Sequence, residues 1–526
     1  MRLLPSKDCG RVEIAMQAFP LFIAILAVGL FTVVPPGFAG GVSDDVRPPA
    51  VAGQFYPDAP DALKAAVQAF LRDAVPRAAK KPIALVVPHA GYIFSGQIAA
   101  DGFKQVEGES YDVVAILGTN HTTPNFQKIS VYNGRGFRTP LGVAEIDREI
   151  TAALLKADTD CVADEKVHAN EHSIEVELPF VQVLFPRARI VPVIVGSPDA
   201  ALCTRFGEAL AKVLKNRRAL IVASSDLSHY PTAAAAEGLD REVLAAIAAL
   251  DGESVRSTIE AHMRRPVANL VTCACGEAPV LSAIEAAKRL GAKGGSVVSY
   301  AHSGQTALGE QSRVVGYGAV VMTAEKSLAG VQKKGREPPY SDSFSESERR
   351  ALLAFAREST SRAVLTQTAP LARGFGKNLE QKRGVFVTLK ERGELRGCIG
   401  QTEPVTPLSQ AVGAMAIRAA FFDPRFRPVS PRELPEIEIE ISVLTRLKPV
   451  PRAADIVVGR DGVLLTKGER SALFLPQVAV EQHWGLAEML DNLCRKAGLE
   501  DACWREGARF STFQAISFGE RTHGSQ

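Results

Sequence analysis

The sequence predicts two successive domains of different class, an α/β domain followed by an α+β domain. Three observations carry this reading. Short runs rich in Val, Ile and Leu at 83–87, 113–117 and 220–223 show no polar alternation, as expected of parallel strands covered on both faces. Helix-like segments rich in Ala and Leu, at 61–71, 147–156, 200–215, 240–250 and 278–290, alternate with strand-like runs in the pattern of an α/β sheet. The text then changes at 326–344, KSLAGVQKKGREPPYSDSF, where Gly, a Pro pair and several Ser mark a linker.

Taken in order, the chain begins with residues 15–34, AMQAFPLFIAILAVGLFTVV, an almost wholly apolar stretch behind Arg2, Lys7 and Arg11. With the small residues Gly37 and Ala39 after it, segment 1–39 reads as a signal peptide or membrane anchor, so export or membrane association is expected. A true start at Met16 or later would instead give a cytoplasmic protein. The first domain is expected over 45–325, closing on the strand-like run RVVGYGAVVMT. The second is expected over 345–522. Ser345 and Glu348 form a capping box for the helix that opens it. RGVFVTLKERGELRGCIG reads as two strands around an Arg-Gly turn, and EIEIEISVLTRL alternates as a half-buried strand does. Helical stretches at 411–420 and 482–497 complete the α+β pattern.

A length of 526 residues exceeds what one hydrophobic core usually organises, in agreement with two domains. The net charge of +3 is small, and no Lys/Arg stripe interleaved with aromatics occurs, so no nucleic-acid partner is expected. Eight cysteines are scattered without the density of a disulfide scaffold, which leaves a reducing compartment open.

Candidate chemistry gathers where apolar runs end: His89 in IALVVPHAGY, His121 in VVAILGTNH, and Asp226 with His229 in ALIVASSDLSHY. In open α/β sheets ligands bind outside the carboxyl ends of the strands, so these residues are expected to converge. Two imidazoles there can fill two corners of a metal site. Cys275, in VTCACGEAP, is the best third ligand, because Gly276 beside it allows close backbone approach. Glu277 is the alternative. A carboxylate would complete the facial triad of non-haem iron oxygenases, whereas a thiolate points to zinc, copper or a less usual iron site.

HANEHSIEVELPF adds His168, Glu171, His172 and Glu175. The order HxxEH is not the HExxH of zinc proteases. His172, flanked by Glu171, is instead read as an acid/base or supporting group of the pocket, and Asp226 as a carboxylate orienting His229. His262, His302, His483 and His523 default to structure or surface, and Cys161, Cys203 and Cys273 to small buried hydrophobes.

AGQFYP at 52–57, PHAGYIFSG at 88–96, the GTNH segment, EHSIEVELPF, SSDLSHY and CGEAP together resemble the Memo family over roughly 47–323. That resemblance implies a fold similar to the class III extradiol dioxygenases. It implies metal-binding positions at His89, His121 and Cys275, with Asp226 and His229 as the remaining pocket residues and His229 as proton carrier. The glutamate ligand usual in those dioxygenases is replaced, so catechol cleavage is not implied. Iron is the favoured metal, with copper or zinc as alternatives. LRGCIG, AAFFDPRF, ELPEIEIEISVLT and LFLPQVAVEQHW resemble the AMMECR-type domain over about 345–520. There Arg396 offers a planar anion-binding fork. Cys398 is a candidate nucleophile if its pKa is lowered and a base such as His483 is near. Memo-like and AMMECR-type domains, with a radical SAM protein, make up the set called the AmmeMemoRadiSam system. This chain resembles its first two parts fused, and without a CxxxCxxC motif it implies a separate radical SAM partner. The expected function is a metal-dependent redox enzyme; the alternative is a non-catalytic module that binds a metal or a peptide and scaffolds that partner.

Overall fold

The computed structural model of the chain describes residues 45–306, 308–325, 343–402 and 404–521. The expected signal or anchor segment 1–39 and, apart from residues 343 and 344, the expected linker 326–344 lie outside the described residues. Among the described residues no helix is long and apolar enough to cross a membrane.

The first domain is organised by one eight-stranded sheet, in the order Gly294–His302, Gly316–Thr323, Pro82–Val87, Ala219–Ser224, Val113–Thr119, Arg189–Val195, Ile129–Val131 and Cys161–Val162. The four central strands, Pro82–Val87 through Arg189–Val195, run parallel. Gly316–Thr323 pairs antiparallel with Pro82–Val87, Gly294–His302 antiparallel with Gly316–Thr323, and Ile129–Val131 antiparallel with Arg189–Val195, so the sheet is mixed at both flanks. Alternate side chains of one strand enter different cores. Ala84 and Val86 pack with the helices Ala200–Leu214, Ala233–Ala248 and Glu277–Arg289. Leu85 and Val87 pack with Pro60–Arg72, Tyr92–Lys104 and Leu178–Leu184. A strand covered on both faces has no solvent side to carry polar residues, which is why these runs read as unbroken Val, Ile and Leu.

Two helix boundaries differ from expectation. The helix expected at 240–250 begins at Ala233, where the Thr232 side chain accepts a hydrogen bond from the Ala235 N–H and caps the first turn. The helix expected at 482–497 is two, Pro476–Glu481 and Leu486–Lys496, because His483 adopts a left-handed φ of 55° that ends the first.

The second domain opens with the capped helix Glu346–Thr366. With Leu408–Phe421 it backs an antiparallel sheet ordered Glu394–Gln401, Val385–Glu391, Ile437–Leu444 and Ala515–Gly519. A second sheet, ordered Lys448–Val450, Arg509–Phe513, Gly462–Lys467 and Arg470–Phe474, carries its own small core with Leu490 and Leu493. A disulfide joins Cys494 to Cys503, a pair that the scattered cysteines of the sequence did not single out.

The two domains are docked. Arg373 makes a bidentate pair with Asp101 at 3.0 and 2.6 Å, and Asp101 is 0% exposed although it lies on the first domain's helix Tyr92–Lys104. Arg362 reaches Asp73 at 2.6 Å and lies over the Phe70 ring. Leu371 packs on Ile98 and Ala319, while Leu308 packs on Ala363 and Ile417. Removing Arg373 leaves the buried Asp101 carboxylate with only N–H partners such as Val75. Arg373→Ala is therefore expected to cost about 1–3 kcal/mol, discounted from a fully buried pair because Arg373 is half-exposed. A thermal melt of the full chain measures it, and an unchanged melting midpoint refutes the pairing as a stabilising contact.

Candidate metal centre

The carboxyl ends of three adjacent strands deliver the site. His89 follows Pro82–Val87, Asp226 and His229 follow Ala219–Ser224, and His121 follows Val113–Thr119. Cys275 comes from elsewhere, the loop that enters the helix Glu277–Arg289. It is seated by three hydrogen bonds: the Thr119 hydroxyl donates to the Cys275 carbonyl at 2.9 Å, the Cys275 N–H to the Asp226 carbonyl at 3.3 Å, and the Gly276 N–H to Ser225 Oγ at 3.0 Å. Gly276 is needed for this approach, because a Cβ there would lie 2.4 Å from the Ser224 carbonyl oxygen.

The donor atoms of His89, His121 and Cys275 all lie within 4.8 Å of one another. His89 Nε2 is 3.2 Å from Cys275 Sγ, and the two imidazoles cross edge to face at 5.2 Å. Each ring is held through its other nitrogen. His121 Nδ1 lies 2.9 Å from Glu171 Oε1, and His89 Nδ1 lies 2.7 Å from Ser224 Oγ. Both therefore keep Nε2 for a ligand, the arrangement metal-binding histidines adopt. Glu277 belongs to neither candidate donor group, which favours the thiolate set.

Electrostatics follow from burial. Burial alone opposes charge on His121, but its hydrogen bonds to Cys275 and Glu171 outweigh this and push it up to about 10. Burial likewise opposes ionisation of Glu171, yet the hydrogen bonds and charge of His121 hold it down at about 2. His89 is pushed well below the ordinary imidazole range by burial and by the neighbouring histidines. Burial raises the Cys275 thiol. A cation at this point would reverse that last effect, since a coordinating thiol is deprotonated.

His172 stacks on His121 at 4.7 Å and meets the Phe55 ring at 5.0 Å; burial lowers it to about 4. With His121 and Glu171 it forms a second group of three possible ligands. Asp226 does not orient the His229 ring as expected. Its Oδ1 accepts the His89 N–H at 2.9 Å, and burial pushes it up to about 7. His229 is held by the Leu227 carbonyl, 2.9 Å from Nδ1, which makes Nδ1 the protonated nitrogen and Nε2 the basic one. Burial holds that imidazole below its ordinary value, so it is a neutral base.

The other two groups of HANEHSIEVELPF are structural. His168 is buried against Ser130, and Glu175 gathers Arg47 at 2.5 Å, the Tyr56 hydroxyl at 2.5 Å and the N–H groups of Ala50 and Val51. This carboxylate pins the chain's first described segment beside the site. Sequence reasoning missed Ser224 and Glu177, and placed Glu171 beside His172 where its main partner is His121. The only sequence signal for Glu177 is an acid inside the run EVELPF.

In the second domain the Arg396 fork is already engaged by Glu433 at 2.9 Å and is nearly buried, so it does not face an incoming anion. Cys398 is pushed up by burial, not lowered, and Thr388 donates its hydroxyl to the sulfur at 3.2 Å. Among the described residues no histidine hydrogen-bonds to it. The nucleophile reading of Cys398 therefore lacks both of its requirements.

The family model described as Memo-like protein matches residues 47–321, and that described as AMMECR1 matches 353–518. A MEMO1 family protein of Aquifex aeolicus is 41% identical over 273 residues, covering 52% of this chain and 97% of its own length. One from Methanopyrus kandleri is 38% identical over 287 residues, covering 52% and 98%. The crystal structure of an uncharacterised protein from Pyrococcus horikoshii is 36% identical, covers 34% of this chain and 93% of that one, and superposes with a TM-score of 0.32.

Gly276→Ala is expected to force the Cys275 loop off Ser224, destabilising the protein by about 1–3 kcal/mol as overpacking does. The melting midpoint of the purified variant reads this out, and an unaltered midpoint would mean the loop has room it does not show.

Proposed function

Because the chain belongs to the Memo family and carries an AMMECR1 domain behind the Memo-like one, we propose that it is a metal-dependent redox enzyme acting with a separate radical SAM protein. His89, His121 and Cys275 hold the metal, with iron favoured and copper or zinc as alternatives. The observation that carries this reading is the convergence of one thiol and two Nε2-presenting imidazoles within 4.8 Å. A thiolate and two imidazoles suit the borderline and softer transition metals. When bound, the metal supplies a redox or Lewis-acid centre at the strand ends. Around it the chain's own groups divide the work. Glu171 fixes the His121 ring, Asp226 fixes the backbone at His89, and His229 Nε2 takes or returns a proton. His172 and Phe55 wall the pocket beside His121.

The first domain is further inferred to share the class III extradiol dioxygenase architecture, with Cys275 in place of the glutamate ligand. A parallel sheet with its histidines at the carboxyl ends supports this. The substrate of that chemistry is left open by the replacement. Among the alternatives, the non-catalytic scaffold draws support from the docked second domain, and zinc hydrolysis predicts activity insensitive to oxygen.

Elemental analysis of the full chain is expected to give about one transition-metal ion per chain and its loss in Cys275→Ala. Oxygen uptake by the loaded wild type then separates redox catalysis from binding alone. Absence of stoichiometric metal in the wild type would remove the basis of the enzyme reading.

Export belongs to the same proposal. The apolar stretch 15–34 has the length of a signal or anchor, and the disulfide Cys494–Cys503 favours an oxidising compartment. Sequencing the mature N-terminus is expected to show cleavage near Ala39; a protein starting at Met1 or Met16 overturns export by cleavage.

A further inference from the structure

One buried acid beside the site is used by nothing described so far. Glu177 and Ser224 are both 0% exposed. Glu177 sits between Val176 and Leu178, two apolar residues of the second core, where a leucine would meet no desolvation cost. Its Oε1 accepts the Ser224 hydroxyl at 3.0 Å, and its buried Oε2 has no hydrogen-bond partner among the described residues. Ser224 Oγ in turn lies 2.7 Å from His89 Nδ1.

The serine has one proton to give. Since it gives that proton to Glu177, it must accept from His89, and His89 must carry its proton on Nδ1. Nε2 is then bare and faces Cys275 Sγ, which as a thiol donates toward it. The hydrogen bonds run one way through four residues: Cys275 to His89 to Ser224 to Glu177. The reverse direction would place a proton on His89 Nε2 and close that nitrogen to a metal. Burial raises Glu177 well above the ordinary carboxylate range, and the hydrogen bond from the Ser224 hydroxyl opposes that shift.

We propose that Glu177 is a positioning residue which, through the Ser224 hydroxyl, fixes the Nδ1–H tautomer of His89 and so keeps Nε2 open as a ligand. The two histidines are thus supported differently: His121 directly by Glu171, His89 at one remove through a serine. The inference rests on the metal reading above for its purpose, though not for its geometry.

The test uses the full-length protein labelled with [15N]histidine, in two readouts. In the metal-free protein, long-range proton–nitrogen correlations are expected to show His89 as the Nδ1–H tautomer, and to show Nε2–H appearing in Ser224→Ala. Cobalt(II) titration, followed by its thiolate charge-transfer band, is expected to give about 10- to 100-fold weaker binding in Ser224→Ala and in Glu177→Leu. Glu177→Gln, which keeps an accepting oxygen, restores most of that loss. The Ser224→Ala, Glu177→Leu double variant loses no more than either alone, because one chain has been cut twice. Ser224→Ala removes a single oxygen and guards against misfolding of the Glu177 variants. Should wild type not bind cobalt, the metal reading fails while the tautomer readout still judges the relay. A wild-type His89 in the Nε2–H form, or a Ser224→Ala protein with unchanged tautomer and affinity, overturns the relay.

Discussion

Everything at the candidate centre depends on the in-register parallel pairing of three strands. Val87 pairs with Ser224 and Leu117 with Ala223, so the carboxyl ends of Pro82–Val87, Ala219–Ser224 and Val113–Thr119 finish abreast. A parallel strand cannot slip by one residue here without moving its side chains to the opposite face, and both faces are filled cores. Packing therefore fixes where each chain leaves the sheet. The short loops that follow bring the His89 and His121 rings to 5.2 Å from one another. Cys275 is brought to the same point by hydrogen bonds to two of these strand ends, Thr119 and Ser225 to Asp226.

That convergence creates an electrostatic difficulty which the surrounding acids resolve. Three imidazoles within 5.4 Å of one another cannot all be charged in a buried pocket. The charge is assigned by contact. His121, with Glu171 against its ring, is the one that holds a proton most strongly. His89 and His172, without a directly facing carboxylate of that quality, are pushed the other way by burial. A cation at the centre would take over the role that the His121 proton plays, which is the physical sense in which the site fits a metal.

Much of this was legible in the sequence because its cause is local. Strands buried on both faces write themselves as apolar runs, and a polar residue just beyond such a run stands out: His89, His121, Asp226 and His229 were found that way. Gly276 was legible for the same reason, since a glycine beside a candidate ligand signals backbone proximity. Partnerships were not legible. Asp226 and His229 are three apart and invite pairing, yet the carboxylate turns to the His89 N–H and the imidazole to a carbonyl. Ser224 ends a strand and Glu177 opens a helix, and neither position announces a hydrogen bond across 47 residues. Arg396 read as an open fork because Glu433 is 37 residues away. Cys494 and Cys503 carry no spacing signal that separates them from the unpaired cysteines.

The clearest case of a residue whose meaning lies outside its own domain is Asp101. In the helix YIFSGQIAADGFK it is fully buried, and its charged partner is Arg373 of the second domain. A buried carboxylate facing an unfilled surface would be costly, so this helix is suited to a covered state. The covering extends toward the candidate centre. Leu308 packs against Ala363 and Ile417 of the second domain, and the segment that follows it pairs through Val314 with Tyr230 and Pro231, and through Val315 with His229. The backbone that carries His229 is thus held on one side by the sheet and on the other by a segment braced against the second domain. Fusion of the two domains is, in structural terms, more than tethering, because a segment braced against the second domain completes the packing around the loop that carries His229.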